Sequence, residues 1–230
     1  MSLAQTIRKV LDRFPFDPPG ELEPGHYVRI SRNETHIYGH LKDILGPVIK
    51  VQRDDQSIEF LGGSAVKVSA GASAVLTTPI PFSSLRSDIT FGAEDGLVIV
   101  GTRQTLRITN LDELFRTLAQ AQIDWSVRNR IVIECQRVEN ATIICSNKSG
   151  NQIAVDYDAG KLVKVSAGGT NASNGFLHMP GMTGTIAFAA MRYIRFLNMP
   201  FGGGGPAYEA RDLDPQDADA YDDFEDEGAR

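Results

Sequence analysis

The sequence predicts a mainly β protein with one internal helix and a disordered acidic tail. Short runs rich in Val, Ile, Thr and Tyr recur about every ten residues between Gly, Pro, Asp and Asn, a spacing typical of a small barrel or sandwich. The helical spacing i, i+3, i+4, i+7 is followed by Leu111, Leu114, Phe115 and Leu118. A Gly202–Gly205 run precedes residues 206–230, which hold ten carboxylates and two arginines.

The elements are expected in the following order. A short helix over Leu3–Arg13 ends before the Pro-rich breaker cluster of residues 14–20. β structure continues to about Gly101, and Asn110 is a suitable N-cap for a helix over Leu111–Gln122. Four regions follow from this order. Residues 1–23 form an N-terminal helix and linker, and residues 24–105 form an OB-like β unit. Residues 106–201 form a helix with a second OB-like β unit, and residues 202–230 form a disordered Gly-hinged tail.

One six-residue segment occurs twice. Val66–Gly71 reads Val-Lys-Val-Ser-Ala-Gly, and the same six residues stand at Val163–Gly168. The same shift of 97 positions aligns Asp88–Phe91 with Thr185–Phe188 in the sequence. A predicted hairpin around Asp54-Asp55 also resembles one around residues 148–150. We interpret this as two copies of one small β unit with a helix between them. The alternative is a coincidence between two β segments of similar composition.

The charge is divided unevenly along the chain. With the acidic tail set aside, residues 1–205 hold 21 bases and 19 acids, a net charge of +2. Such asymmetry suggests a polyanion partner for the body, although an acidic tail also serves solubility. No apolar run reaches bilayer length, no secretory signal is evident, and two cysteines indicate a reducing compartment. We therefore expect a cytoplasmic protein with no membrane partner.

No enzyme signature is present in the sequence. The glycine run is followed by Pro206, so it is not a phosphate-binding loop, and no Cys-x-x-Cys accompanies the histidines. Carboxylate pairs such as Asp54-Asp55 are expected in solvated turns. We expect no catalytic residue, no metal and no cofactor.

Bases and aromatics favour binding instead. Bases alternate with apolar residues around the repeated segments, and three aromatics lie near bases in the sequence. Cations for phosphates and flat rings for bases are what a single-strand binder requires. The candidate residues are Arg53, Lys67, Trp125, Arg128, Arg130, Lys148, Tyr157, Lys161, Lys164, Arg192 and Tyr193. The alternation also fits an ordinary solvated sheet face, and Trp125 and Tyr193 also fit packing under the helix and half-burial in a strand.

The C-terminal part resembles a known family. The segments Ser146–Asn151, Gly160–Val165, Gly184–Phe188, Tyr193–Leu197 and Phe201–Gly205, followed by the acidic tail, are similar in order to the single-stranded DNA-binding proteins of podophages. The resemblance covers about residues 131–230. It implies an OB-like β-barrel, in one copy or in two tandem copies, joined by the helix and followed by the tail.

The resemblance also implies a function. Family members coat single-stranded DNA in phage replication and recombination, and their tails compete for the DNA groove and dock on polymerase and primase-helicase. Lys148, Lys161 and Lys164 would contact phosphates. The docking tail would comprise Tyr221, Asp222, Asp223, Phe224, Glu225, Asp226 and Glu227. The partners would be single-stranded DNA and these replication proteins, with a homodimer left open, in the host cytoplasm. The alternatives are a β-sandwich coat or decoration protein and a clamp-like interaction module.

Overall fold

In a computed structural model of the chain, the described residues are 3–31, 34–62, 66–70, 74–76, 86–92, 96–121, 123, 125–146, 149–158, 161–168, 176–196 and 207–217. Their helices are α1 (Leu3–Leu11), α2 (Leu41–Leu45) and α3 (Leu111–Gln120). Their strands are β1 (Phe14–Gly20), β2 (His26–Ile30), β3 (Thr35–His40), β4 (Val51–Gly62), β5 (Val66–Ala70), β6 (Ala74–Leu76), β7 (Arg86–Phe91), β8 (Gly96–Ile108), β9 (Arg130–Ser146), β10 (Gln152–Asp158), β11 (Lys161–Gly168), β12 (Phe176–Phe196) and β13 (Ala207–Asp212).

Most strands belong to one large antiparallel sheet, sheet A. The long strand β9 pairs with β12 along one edge, and with β8 and then β2 along the other. β4 continues the sheet beyond β8, β3 continues it beyond β2, and β1 and β13 pair with the outer edge of β12. The described pairings leave sheet A open at both sides. The protein is therefore mainly β, as predicted, but the OB-like closed barrel is not confirmed.

A second antiparallel sheet, sheet B, has the order β11-β10-β7-β5-β6. Val66–Ala70 of the first hexapeptide form β5 and the second hexapeptide lies in β11, and these two strands flank the central pair β7 and β10. The proposed overlay of Asp88–Phe91 on Thr185–Phe188 fails, because the first segment lies in β7 of sheet B and the second in β12 of sheet A. The repeated segments thus hold matching places in one sheet, whereas the flanking segments Asp88–Phe91 and Thr185–Phe188 do not.

The helices pack on sheet A through the spacing that the sequence predicts. On α3, Leu114, Phe115 and Leu118 are buried against Ile131 and Tyr193 of the sheet. The N-terminal helix α1 buries Ile7 in a separate cluster with residues of β8, β9 and β12. Consecutive residues of β9 enter different clusters, Ile131 under α3 and Val132 with Phe188, because successive side chains alternate between the faces of a strand.

α1 ends before the Pro-rich cluster and Asn110 is the N-cap residue of α3, as predicted, but three local features differ from expectation. The Pro-rich residues 14–20 form edge strand β1, where missing backbone donors are tolerated. Asp54 and Asp55 are not in a turn; they lie inside β4, opposite Thr105 and Gln104. The side chain of Asn110 does not cap α3, because its Oδ1 accepts from the Lys50 N–H at 2.9 Å and its Nδ2 donates to Val48 O at 2.8 Å.

The tail also differs from expectation at its start. Residues 207–217 are ordered: β13 pairs with β12, Leu213 N–H donates to Ala190 O at 3.1 Å, and Gln216 Nε2 donates to Arg8 O at 2.9 Å. This stretch has apolar side chains to bury, since Tyr208 and Leu213 pack against two of the core clusters. Residues 218–230, with the predicted docking residues Tyr221–Glu227, lie outside the described part.

Candidate functional site

Four long strands of sheet A form a ribbon, defined here as β4, β8, β9 and β12. Neighbours in this ribbon are paired antiparallel, in the order β4-β8-β9-β12. The chain between β4 and β8 supplies β5, β6 and β7, and the chain between β9 and β12 supplies β10 and β11. Sheet B therefore consists of the two connections between the ribbon's strands.

The two connections meet where the chain passes from sheet A to sheet B, a place we call the sheet junction. Phe91 N–H donates to Asn151 O at 2.9 Å, and Gly150 N–H donates to Phe91 O at 2.7 Å. Ser149 Oγ donates to Gly92 O at 3.2 Å, and Asn151 Nδ2 donates to the buried Ser146 Oγ at 2.8 Å. The end of β7 and the start of β10 are thus tied to each other at the exit from the ribbon.

Close packing at the junction needs a glycine. The Phe91 ring is fully buried, and a Cβ built on Gly96 at the start of β8 would lie 2.1 Å from its Cδ1. Gly150 stands in the turn between β9 and β10 with φ +80, where a side chain would be strained. These two positions set the path of the chain between the sheets.

A buried carboxylate lies midway along the ribbon. Glu134 of β9 is 6% exposed and is held by Arg13, before β1, and Arg107, opposite it on β8. Arg13 Nε and Nη2 donate to Oε1 at 3.2 and 3.1 Å, and Arg107 Nε donates to Oε2 at 2.7 Å. This clamp fixes the end of α1 to the ribbon, because Arg13 Nη1 also donates to Asp12 O.

The predicted base-stacking aromatics belong to the core. Tyr193 is fully buried, and its ring stacks on Phe115 of α3 with centroids 5.8 Å apart. Trp125 is half-buried and contacts the rings of Tyr27 and Tyr193 at 5.5 and 5.9 Å. Both rings thus contact other aromatic rings of the protein, as the packing interpretation of these residues expects.

The predicted cations are separated, except for one pair. Arg53 is exposed on β4 and donates to Asp55 at 2.6 Å, and Arg128 is exposed in the loop before β9. Arg130 and Arg192 stand directly opposite each other on β9 and β12. The sequence did not indicate their third neighbour, Arg211, which stands opposite Arg192 on β13.

The remaining candidates are described only by their backbones or not at all. Lys67 lies on β5, Tyr157 on β10, and Lys161 and Lys164 on β11, while their side chains are outside the description. Lys148 lies outside the described residues.

Two histidines meet near the start of the β2–β3 hairpin. His26 and His40 are cross-strand partners whose ring centroids are 4.7 Å apart. His40 is 7% exposed, and its Nδ1 accepts from the Lys42 N–H at 3.0 Å, which caps α2. Burial lowers the pKa of His40, and His26 and Lys42 lower it further, against the opposing effects of Glu23 and Asp43.

The structure offers little for redox or metal chemistry in its described part. Cys135 and Cys145 both lie in β9, and both are buried free thiols. Burial raises the pKa of the Cys135 thiol far above its ordinary value, so it stays protonated. Among the described residues, no group of three or more His, Cys, Asp or Glu could hold a metal ion.

Comparison with known proteins finds gasdermins. The chain is similar to a bacterial gasdermin from Bradyrhizobium tropiciagri, with a TM-score of 0.36 and 11% identity over 90% of this chain and 89% of the other. It is similar to the Gasdermin A3 membrane pore, with a TM-score of 0.35 and 15% identity over 91% and 92%. No family model and no curated protein matches the sequence.

These findings overturn the DNA-binding interpretation. Both of these similar structures are gasdermins and neither is a single-stranded DNA-binding protein, so the resemblance to the podophage family is wrong. The predicted roles in replication and recombination are wrong with it, as are the predicted partners, the exclusion of a membrane, and the coat and clamp alternatives. The prediction that the chain is not an enzyme agrees with both matches, one of which is a membrane pore. Within the described ranges, no helix is long and apolar enough to cross a bilayer.

Proposed function

We propose that this protein inserts into lipid bilayers by straightening the sheet junction, so that sheet B extends the ribbon. The observation that carries this proposal is the strand order. The ribbon runs β4-β8-β9-β12, and the four strands attached to these in sequence run β5-β7-β10-β11 in sheet B. Each ribbon strand is thus joined along the chain to one strand of sheet B. Strands that are neighbours in the ribbon are joined to strands that are neighbours in sheet B.

The continuation requires no change of partners among these four strands. β7 and β10 are paired antiparallel, Ile89 opposite Ile153, as β8 and β9 are. The sheet B strands β5, β7, β10 and β11 have 5, 6, 7 and 8 residues. Each is shorter than the roughly 9–11 residues that cross a bilayer, and each gains that length when it is joined to its ribbon strand.

The sequence of the connections suits a lipid environment. Residues 60–85 contain Lys67 as their one charged residue, and residues 165–191 contain no Asp, Glu, Lys or Arg. Val66, Val68 and Ala70 alternate with polar residues on β5, and Val163, Val165 and Ala167 repeat the pattern on β11. Alternation of this kind is typical of strands with one lipid-facing side and one polar side.

Dye release and an environment-sensitive probe test the proposal together. The full chain is added to dye-filled vesicles of phosphatidylcholine and phosphatidylglycerol. A cysteine replaces Ala72, between β5 and β6, and carries a nitrobenzoxadiazole label; the two native cysteines are buried and escape labelling. We expect release of the dye, with a blue shift of the probe and quenching by brominated lipid. The matched control carries the label at Arg116→Cys, exposed on α3, and should show neither spectral change.

A pair of neighbouring substitutions tests the lipid-facing side. Val68→Asp places a charge on the apolar side of β5, and Ser69→Asp places the same charge on the polar side. The first should abolish dye release and the second should retain most of it, with Trp125 fluorescence unchanged in both as evidence of an intact fold. No release by the unmodified chain, or equal release by the two variants, would contradict the proposal. The cytoplasmic location and the four domain boundaries remain predictions.

A further inference from the structure

Three arginines stand in one row across three neighbouring strands of sheet A. Arg130 of β9 is directly opposite Arg192 of β12, and Arg192 is directly opposite Arg211 of β13. Directly opposite residues of antiparallel strands share a face, with Cβ atoms about 4.5–5.5 Å apart. Like charges in such positions repel one another, so this arrangement costs stability unless an anion lies against it.

The face of the row is fixed by its neighbours. The next residue on β12, Tyr193, points to the other face, where it stacks on Phe115 of α3. The row therefore lies on the face that carries Val132 and Ala190, away from α3. It is also at the end of β12 remote from β11 and the sheet junction, so this inference does not depend on the proposed membrane insertion.

The arginines of the row become less exposed from the edge inward. Arg211 is exposed on edge strand β13, Arg192 is partly buried, and Arg130 is 3% exposed, with its Nη1 donating to Val127 O at 2.9 Å. The Nε of Arg192 is shielded from solvent and has no hydrogen-bond acceptor among the described residues. A guanidinium donor in that situation is stabilised by an oxygen anion that comes from outside the protein.

No carboxylate of the described chain neutralises the outer part of the row. Neither Arg192 nor Arg211 has an ion pair there, although Glu209 lies two residues before Arg211 on the same side of β13. The contrast with Arg13 and Arg107, which share Glu134, shows that this protein pairs arginines internally elsewhere.

We propose that Arg192 and Arg211, the outer two arginines of the row, form a binding site for a ligand with two adjacent phosphate groups. Guanidinium groups bind phosphate oxygens in a bidentate, planar geometry. With strands about 4.8 Å apart, Arg192 and Arg211 can each face one group of a diphosphate, while Arg130 lies behind them and is 3% exposed. A single phosphate offers only one group to the same two side chains.

Titration with inorganic pyrophosphate and with inorganic phosphate, followed by calorimetry on the full chain, tests the site. We expect saturable binding of pyrophosphate, about tenfold or more tighter than phosphate. Arg192→Gln and Arg211→Gln should each weaken binding at least about tenfold, whereas Glu209→Gln should strengthen it. The matched control is Arg116→Gln, a substitution of an exposed arginine on α3, which should leave the affinity unchanged.

The source of the phosphate is distinguished by a second arm with vesicles that contain phosphatidic acid. Vesicle binding that is lost in Arg192→Gln, with no binding of pyrophosphate, assigns the row to a lipid headgroup; binding of pyrophosphate assigns it to a soluble ligand. Arg211→Gln lies on an exposed edge and keeps the test valid if Arg192→Gln fails to fold. Equal affinity of Arg192→Gln, Arg211→Gln and Arg116→Gln, or no binding by the unmodified chain in either arm, would overturn the proposal.

Discussion

Two sets of arginines on the same sheet have opposite surroundings. Arg13 and Arg107 converge on the carboxylate of Glu134, which is 6% exposed, so both arginines have an ion-pair partner within the protein. Arg130, Arg192 and Arg211 stand side by side on β9, β12 and β13. The first set joins the end of α1 to β8 and β9 and is structural, whereas in the second set neither Arg192 nor Arg211 has an ion pair among the described residues. Position relative to a carboxylate, and not residue type, decides which role an arginine has.

The largest expected change in stability comes from removing Arg13 and Arg107, the two arginines that bind Glu134. Removing both partners in Arg13→Ala/Arg107→Ala leaves the carboxylate of Glu134, which is 6% exposed, without an ion pair, and such an uncompensated charge costs about 3–5 kcal/mol. Urea unfolding followed by Trp125 fluorescence measures the loss in the free energy of unfolding.

Adding Glu134→Met to the double variant is the control for that experiment. It removes the buried charge and fills a similar volume, so about half or more of the lost stability should return. If the triple variant is no more stable than the double variant, the arginines act through packing and not through the charge of Glu134.

The sequence contains the local information for much of the fold. The spacing of Leu111, Leu114, Phe115 and Leu118 predicted α3 correctly, because one buried face of a helix requires that period. Runs of β-branched residues predicted most strands. The turn at residues 149–150 is also where expected, although it joins two sheets and not the strands of a hairpin. The aspartates of β4 misled the interpretation, since on an exposed strand their side chains face water and need no turn.

The arginine row was not predictable in the same way. Arg130 and Arg192 are 62 positions apart and Arg211 is separated from both by the glycine run, so only the register of three strands brings them together. Several register shifts between β9 and β12 change which residues are opposite, and no sequence pattern encodes them. Similarly, Tyr193 reads as an aromatic between two bases, and only the packing of α3 reveals that it is buried.

His40, a buried base that stays neutral, extends the comparison of the two arginine sets. Its expected effect on stability is intermediate in size. Burial lowers the pKa of His40, so the folded protein keeps it neutral where the unfolded chain takes up a proton. Because the unfolded state then binds more protons, stability falls as the pH drops through about 6.5 toward the lower folded pKa. Above that window the histidine contributes no pH dependence.

Thermal unfolding between about pH 7.5 and about pH 5.5 checks this expectation. His40→Asn keeps an acceptor for the Lys42 N–H and cannot titrate, so its unfolding temperature should fall less than that of the unmodified chain. His36→Asn, at an exposed histidine beside Glu34, is the control and should follow the unmodified chain. Identical pH profiles for all three proteins would show that His40 titrates normally.

The smallest effect is expected at Arg192, between Arg130 and Arg211, and its sign is opposite to the first. In ligand-free protein at low salt, Arg192→Gln removes the central charge of three directly opposed ones, and such pairs each cost about 0.2–1 kcal/mol. The variant should therefore be more stable than the unmodified chain by about 0.5–1 kcal/mol in urea unfolding. At about 1 M salt the Debye length is about 3 Å, and the gain should largely disappear. Arg116→Gln on α3 should show neither the gain nor its salt dependence. A loss of stability in Arg192→Gln would mean that an internal partner already balances the row, which would make both arginine sets structural.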